Sequence, residues 1–405
     1  MRDVRLKPFA IACVAVLLSC ARPYPHAGEP IGTVRQLYDG ALPFELRVNT
    51  FRNVDRLFPS RRIEASREPR PLPRDTTPVS VRDVRFTYEG ATYELENYLD
   101  SNRVAAILVL KDGRVELEQY RYGNTERTRW MSMSVAKSIT STLVGAALKQ
   151  GHIASLDDPV TRYVPALAGS AYDGVSLRDV LMMSSGVRWN ETYTDTASER
   201  RRLLEAQIAG RSGGALDVMR ALPRAAPPGT VNNYNTGETQ IVAEVLRGAT
   251  GLPLADYLSD QLWKPAGMEA DAYWWLDSPG GVEIGGSGVA ATLRDYARFG
   301  QLILDEGVVG SDTILPAGWV REATRPQTLR EGSVIDYGYL WWPGTTPAGR
   351  RDRAFSAEGI FGQFIYVNPA ASVVIVVWSA WPKPTEGVRF GWDWSFFEAV
   401  VAALR

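Results

Sequence analysis

β-rich runs stand toward both ends of this chain, and helical patterns fill the stretch between them. Residues 104–122 hold two apolar runs joined by Lys111-Asp112-Gly113-Arg114, and Asp-Gly between such runs marks a tight hairpin. Strand character returns at 337–342, 361–367 and 372–379, before an apolar closing helix over about 394–404. Residues 134–150, 178–183, 215–222, 237–249 and 253–263 read as helices separated by glycine, proline and asparagine loops. The pattern predicts an α+β fold: an antiparallel β-sheet completed by both chain ends, flanked by helices, with an inserted, mainly helical subdomain over about 150–275. A chain of 405 residues, 45% of them hydrophobic, has ample apolar material for such a core.

The start of the chain reads as an export signal. Arg2, Arg5 and Lys7 precede a short apolar run over 9–18, too short to span a bilayer comfortably. The run ends in Leu17-Leu18-Ser19-Cys20, which resembles a bacterial lipobox; an ordinary secretory signal with a chance cysteine is the alternative. The expectation is a signal peptide over 1–19, lipidation at Cys20, and an exported lipoprotein of the cell envelope, periplasmic and anchored in the outer membrane. Cys13 lies in the segment to be removed, so the mature chain keeps Cys20 alone and has neither an internal disulfide nor a cysteine metal site. Residues 20–80, rich in proline and arginine, read as a tether and an N-terminal extension lying on the main domain at 81–405.

The formal net charge is −1, which supplies no excess of positive charge for a phosphate backbone, so nucleic acid is not expected as a partner. A small molecule is the expected partner, with membrane association through the lipid anchor. Only His26 and His152 occur, and neither is placed for a histidine-based triad. No cluster has metal-ligand spacing, and Gly285-Gly286-Ser287-Gly288 lacks the ending of a phosphate loop, so no metal or cofactor is expected. That glycine stretch reads as a tight loop bordering a cleft.

The chemistry concentrates at Ser134-Val135-Ala136-Lys137, at the start of the helix running to about Gln150. Residues three apart share a helix face, so the hydroxyl and the amine come within reach of each other. A serine hydroxyl needs a neighbouring base, and a lysine serves only when burial and the helix start lower its pKa. Ser134, Lys137, Ser138, Ser141 and Gly145 form a small or polar helix face that leaves room for a substrate. Farther on, Tyr234 lies in Pro228-Gly229-Thr230-Val231-Asn232-Asn233-Tyr234-Asn235-Thr236, just before a helix.

With the Ser-x-x-Lys tetrad, the runs Gly151-His152-Ile153-Ala154-Ser155-Leu156-Asp157-Asp158-Pro159-Val160 and Leu177-Arg178-Asp179-Val180-Leu181-Met182-Met183-Ser184-Ser185-Gly186-Val187 make residues 81–405 resemble the serine β-lactamase-like superfamily. This superfamily includes class C β-lactamases, penicillin-binding proteins and related esterases, and the 6-aminohexanoate-dimer hydrolase type is the nearest branch. The resemblance implies a serine hydrolase that forms an acyl-enzyme on Ser134, with Lys137 and Tyr234 as general base and acid. It matches Tyr234 to the tyrosine of the Tyr-x-Asn motif, in which a nearby cationic lysine stabilises the phenolate. Either Lys137 or Tyr234 can be the resting base. Thr236 stands where that motif has asparagine, and Ala357 stands where the third motif has lysine or histidine. Both departures favour esters or linear amides over β-lactams. The resemblance also implies an oxyanion hole from the backbone N–H groups of Ser134 and Ile360, and a substrate cleft bordered by Gly359, Gln363, Trp189, Trp274 and Trp341. The rival readings are a β-lactamase or D-Ala-D-Ala peptidase, and a non-catalytic lipoprotein that binds cell-wall peptides.

Overall fold

The computed structural model describes residues 23–75, 81–385 and 387–405, with the backbone alone at 387–390; the expected signal peptide and Cys20 lie outside the described residues. Asp-Gly chemistry sets the first element. Strands Val104–Lys111 and Arg114–Tyr120 meet at a turn in which Asp112 and Gly113 have φ of +51° and +74°, the left-handed conformations that match hairpin twist. The C-terminal strand Val373–Ser379 pairs antiparallel with Val104–Lys111, Val377 opposite Ile107. The main sheet runs in the order Trp342–Pro343, Phe355–Gly359, Gln363–Asn368, Val373–Ser379, Val104–Lys111, Arg114–Tyr120, so both chain ends complete it.

Side chains alternate faces along a strand, and both faces of this sheet are covered. Phe364 and Tyr366 point to one side and pack on Phe397 of the closing helix Gly387–Ala403. Ile365 points to the other, toward Gly300 of helix Leu293–Leu304. Val373–Ser379 is consequently buried at every position, which explains its continuous apolar run.

A second antiparallel sheet runs Ser60–Ile63, Ala272–Trp275, Val289–Thr292, Arg129–Met131. The helices Leu177–Leu181, Glu199–Ile208, Gly214–Arg220 and Thr236–Thr250 are inserted between two of its strands, Arg129–Met131 and Ala272–Trp275. Helix Val135–Lys149, which follows Ser134, packs against both helix Thr236–Thr250 and strand Phe355–Gly359, and so joins the inserted part to the main sheet.

One expectation needs correction. The run 337–342 forms no continuous strand; only Trp342–Pro343 pairs, because Leu340 turns the chain at φ +62°. In the stretch expected as a tether and an extension lying on the main domain, helices Val34–Tyr38 and Phe44–Phe51 precede strand Ser60–Ile63, which pairs with Ala272–Trp275. Phe51 is fully buried, its ring 5.4 Å from Trp130 and 5.2 Å from Phe361. Phe51→Ala should therefore cost about 3–5 kcal/mol in urea unfolding, the usual price of emptying an aromatic core site. A cost near zero would show that the extension is not part of the core.

Candidate active site

Ser134, the expected nucleophile, follows a strained turn. Strand Arg129–Met131 ends, Ser132 Oγ accepts from the Val289 N–H at 3.1 Å, and Met133 takes φ +44° before the helix begins. A left-handed conformation is costly for a residue with a side chain, and here it points Ser134 into a cavity. One helical turn later, Lys137 Nζ lies 2.7 Å from Ser134 Oγ and donates to the Gly286 carbonyl at 2.9 Å. A Cβ on Gly286 would stand 3.3 Å from Nζ, so the glycine loop lies closely over the amine. The remaining polar face does not open onto the cavity as expected. Ser138 donates to the Leu340 carbonyl, Ser141 is fully buried, and Gly145 is covered by the Trp319 ring.

Lys137 is fully enclosed, and burial pulls its pKa down to about 7; Glu191 opposes that fall and Arg200 adds to it. An amine with this pKa is about half free at neutral pH, and the free form can take the serine proton. Tyr234 behaves in the opposite way to the expected phenolate. Burial pushes its phenol well up, the Glu191 carboxylate adds to the rise, and the hydrogen bond shared with Ser134 only partly opposes it. Burial thus holds Tyr234 toward the neutral phenol, and the Lys137 amine, 2.7 Å from Ser134 Oγ, is the candidate base.

The loop carrying Tyr234 is anchored to the second signature run: the Asn233 N–H donates to the Met183 carbonyl at 2.8 Å and Asn232 Nδ2 to the Met182 carbonyl at 2.7 Å. Asn235 caps helix Thr236–Thr250. The Tyr234 ring stacks on Trp342, with centroids 5.6 Å apart.

The cavity encloses about 760 Å³ and is lined by Ser134, Tyr234, Glu191, Glu358, Gly359 and Ile360, with Asp39, Lys383 and Trp342 among its other walls. A Cβ on Gly359 would come within 2.6 Å of the Ser132 carbonyl, so this strand can lie against the nucleophile turn only with glycine there. Among the described residues neither the Ser134 nor the Ile360 backbone N–H has an acceptor, which leaves both free for a substrate oxygen.

Several expected cleft residues are elsewhere. Gln363 is buried between Trp130 Nε1 and the Ser379 carbonyl, at 3.0 and 2.9 Å. Trp274 donates to the Ile284 carbonyl within the core, and Trp341 packs on Phe299 and Phe355. Trp189 does not line the cavity; its indole N–H donates to Glu191 Oε2, which does. His26 is buried against Thr128 and Glu29, and His152 lies beside Tyr257, both outside the cavity. Glu191, Asp39, Lys383 and Trp342 were not singled out from sequence. The signal available for Trp342 was its pairing with Trp341, since adjacent residues of an extended segment face opposite ways.

Residues 95–396 match the family model described as Beta-lactamase. The chain belongs to the beta-lactamase family. It is a serine hydrolase of that family. It is 35% identical over 309 residues to a 6-aminohexanoate-dimer hydrolase of Paenarthrobacter ureafaciens, covering 72% of this chain and 76% of the relative. It is 26% identical to a D-aminopeptidase of Brucella anthropi over 60% of this chain, and the match spans about half that longer protein (49%). Its fold is similar to that of a solved Bacillus anthracis protein provisionally designated a 6-aminohexanoate-dimer hydrolase, with TM-score 0.78, 24% identity, and coverage of 90% of this chain and 95% of that one. A solved family VIII carboxylesterase has TM-score 0.59 and 17% identity, covering 76% of this chain and 95% of its own.

Proposed function

We propose that this family member hydrolyses short linear amides or esters in preference to β-lactams. Ser134 Oγ attacks the substrate carbonyl while the Lys137 amine takes its proton, and the Ser134 and Ile360 N–H groups hold the oxygen that gains charge. The C–N or C–O bond then breaks, and Tyr234 passes a proton to the leaving amine or alcohol. Water repeats the sequence on the acyl-enzyme and releases a carboxylic acid.

The observation that carries the preference is the loss of the basic residue that the third motif places at the cavity. Asp39, Glu191 and Glu358 face it, Lys383 is the one lysine among its lining residues, and Ala357 replaces the basic residue of the third motif. A carboxylate-bearing β-lactam finds no basic residue of the third motif to hold it, whereas an uncharged or amine-bearing chain needs none. The relatives' names, an aminohexanoate-dimer hydrolase and D-aminopeptidases, agree with an amide substrate.

The test is a panel of a short-chain nitrophenyl ester, a linear amide dimer and nitrocefin, assayed with the protein and with Ser134→Ala. Hydrolysis of ester and amide that disappears in the variant supports the reading. Rapid nitrocefin turnover would replace it with the β-lactamase reading, and equal rates in both proteins would favour a non-catalytic binding protein. With Lys137 as base, kcat/KM should fall about tenfold per pH unit below pH of about 7, because protonation removes the acceptor.

Cys20 and the apolar run before it support export and lipid anchoring in the cell envelope as part of the same proposal. Palmitate labelling of the wild type but not of Cys20→Ala is the expected result.

A further inference from the structure

Arg200 sits behind the active site. It opens helix Glu199–Ile208 and is 5% exposed. The N-terminal extension clamps it: Arg200 donates to the Tyr38 hydroxyl, and its guanidinium lies over the Tyr38 ring, 4.9 Å from the centroid. On its other side, Arg200 Nε is 3.9 Å from Glu191 Oε1 and has no hydrogen-bond acceptor. Glu191 in turn accepts from the Thr236 N–H at 2.9 Å, the Thr236 hydroxyl at 2.5 Å and the Trp189 indole. Thr236 is two residues beyond Tyr234. A chain of contacts therefore runs from the extension, through a buried cation and a carboxylate, to the loop that carries the catalytic phenol.

We propose that Arg200 and Tyr38 are positioning residues: Tyr38 holds Arg200 against Glu191, and this pair fixes the Tyr234 loop and balances the charge that Glu191 projects onto the Lys137 amine. The proposal rests on the hydrolase reading only for its kinetic readout. The physical reason is the low dielectric of the enclosed site. An uncompensated Glu191 carboxylate would favour the ammonium form of Lys137 and remove the base, and a cation placed beyond that carboxylate offsets its field. Burying Arg200 needs such a partner, because a lone buried guanidinium is costly. Among the described residues, Ser134 and Tyr234 face the amine and the Glu191 and Arg200 charges act on it; Glu358 and Tyr193 bear on it through Tyr234. Arg201, next along the helix, pairs instead with Asp39 at 2.7 Å, so the same turn of the extension meets two consecutive arginines.

The test uses the full chain and two readouts. The lysines are at 7, 111, 137, 149, 264 and 383, few enough for ε-carbon-labelled lysine NMR to follow Lys137 through a pH titration. The second readout is kcat/KM for the nitrophenyl ester against pH. In Arg200→Met both midpoints should rise by about one pH unit, lowering kcat/KM about tenfold at pH 6. Arg200→Lys should restore most of the shift, and Glu191→Gln in the Arg200→Met background should bring the midpoint back down. Tyr38→Phe keeps the ring and loses the acceptor, so a smaller upward shift is expected, and it provides the test if Arg200→Met does not fold. Unmoved Lys137 midpoints in Arg200→Met, or in Tyr38→Phe if only that variant folds, would overturn the proposal and leave Arg200 as packing alone. Because the NMR titration does not depend on turnover, failure of the hydrolase reading would be seen separately, as a wild type without Ser134-dependent hydrolysis.

Discussion

Lys137→Met is expected to lower kcat/KM for the nitrophenyl ester by at least about 10³-fold and yet to raise the melting temperature. The activity loss follows from the 2.7 Å approach of Nζ to Ser134 Oγ, since methionine offers no acceptor for the hydroxyl proton. The stability gain follows from burial. The amine titrates at about 7 in the fold against 10.5 in the open chain, so between these values the unfolded chain holds a proton that the folded one lacks. Wild-type stability therefore rises with pH across that window, and at neutral pH and below the buried amine costs about 4 kcal/mol. Methionine removes that cost and fits the apolar helix surroundings. It gives up the contacts to Ser134 and the Gly286 carbonyl, about 1 kcal/mol each. A net gain of about 2 kcal/mol corresponds to about 2–3 °C for a chain of this size. Differential scanning calorimetry at pH 7 and pH 10 checks it, and the gain should shrink at the higher pH. A lower melting temperature at neutral pH would show that the lysine is not held as a buried, partly neutral amine.

Gly359→Ala is expected to lower kcat about 10²-fold or more with a much smaller change in KM. The added Cβ would stand 2.6 Å from the Ser132 carbonyl, 3.0 Å from the Gln363 Cβ and 3.1 Å from the Met133 Cβ. Backbone must then move: either the strand retreats, taking the Ile360 N–H with it, or the turn bearing Ser134 does. Both movements separate Ser134 from the Ile360 N–H, whose contribution is made in the transition state and so appears in kcat. The overpacking should also cost about 1–3 kcal/mol in urea unfolding. Unchanged kcat would mean that Ile360 N–H is not an oxyanion donor, even if stability falls.

The two variants probe different layers of the same design. Lys137 tests what enclosure does to one group, and Gly359 tests how closely two segments must meet. Arg200 adds a third layer, in which an extension that could be mistaken for a tether reaches the chemistry through Tyr38. Removing the extension in an engineered version should therefore change the pH dependence of catalysis as well as the yield of folded protein.

What the sequence by itself determined is local. The Asp112-Gly113 turn, the three-residue spacing of Ser134 and Lys137 on one helix face, and the capped helix after Tyr234 follow from φ/ψ preferences and helical periodicity, which act over a few residues. The α+β order was legible for the same reason, because apolar runs show where the buried strands lie. The tertiary structure alone decided which groups meet. Trp342 faces the cavity while Trp341 enters the core, and the difference is set by where the sheet edge pairs, not by residue type. Tyr38, Glu191, Arg200 and Thr236 are spread over nearly half of the chain and become one cluster only when the extension docks. The lowered pKa of Lys137 belongs to the same class. Water exclusion around an amine depends on everything that covers it, and what covers Lys137 includes the glycine loop at 285–286, which lies well over a hundred residues farther along the chain.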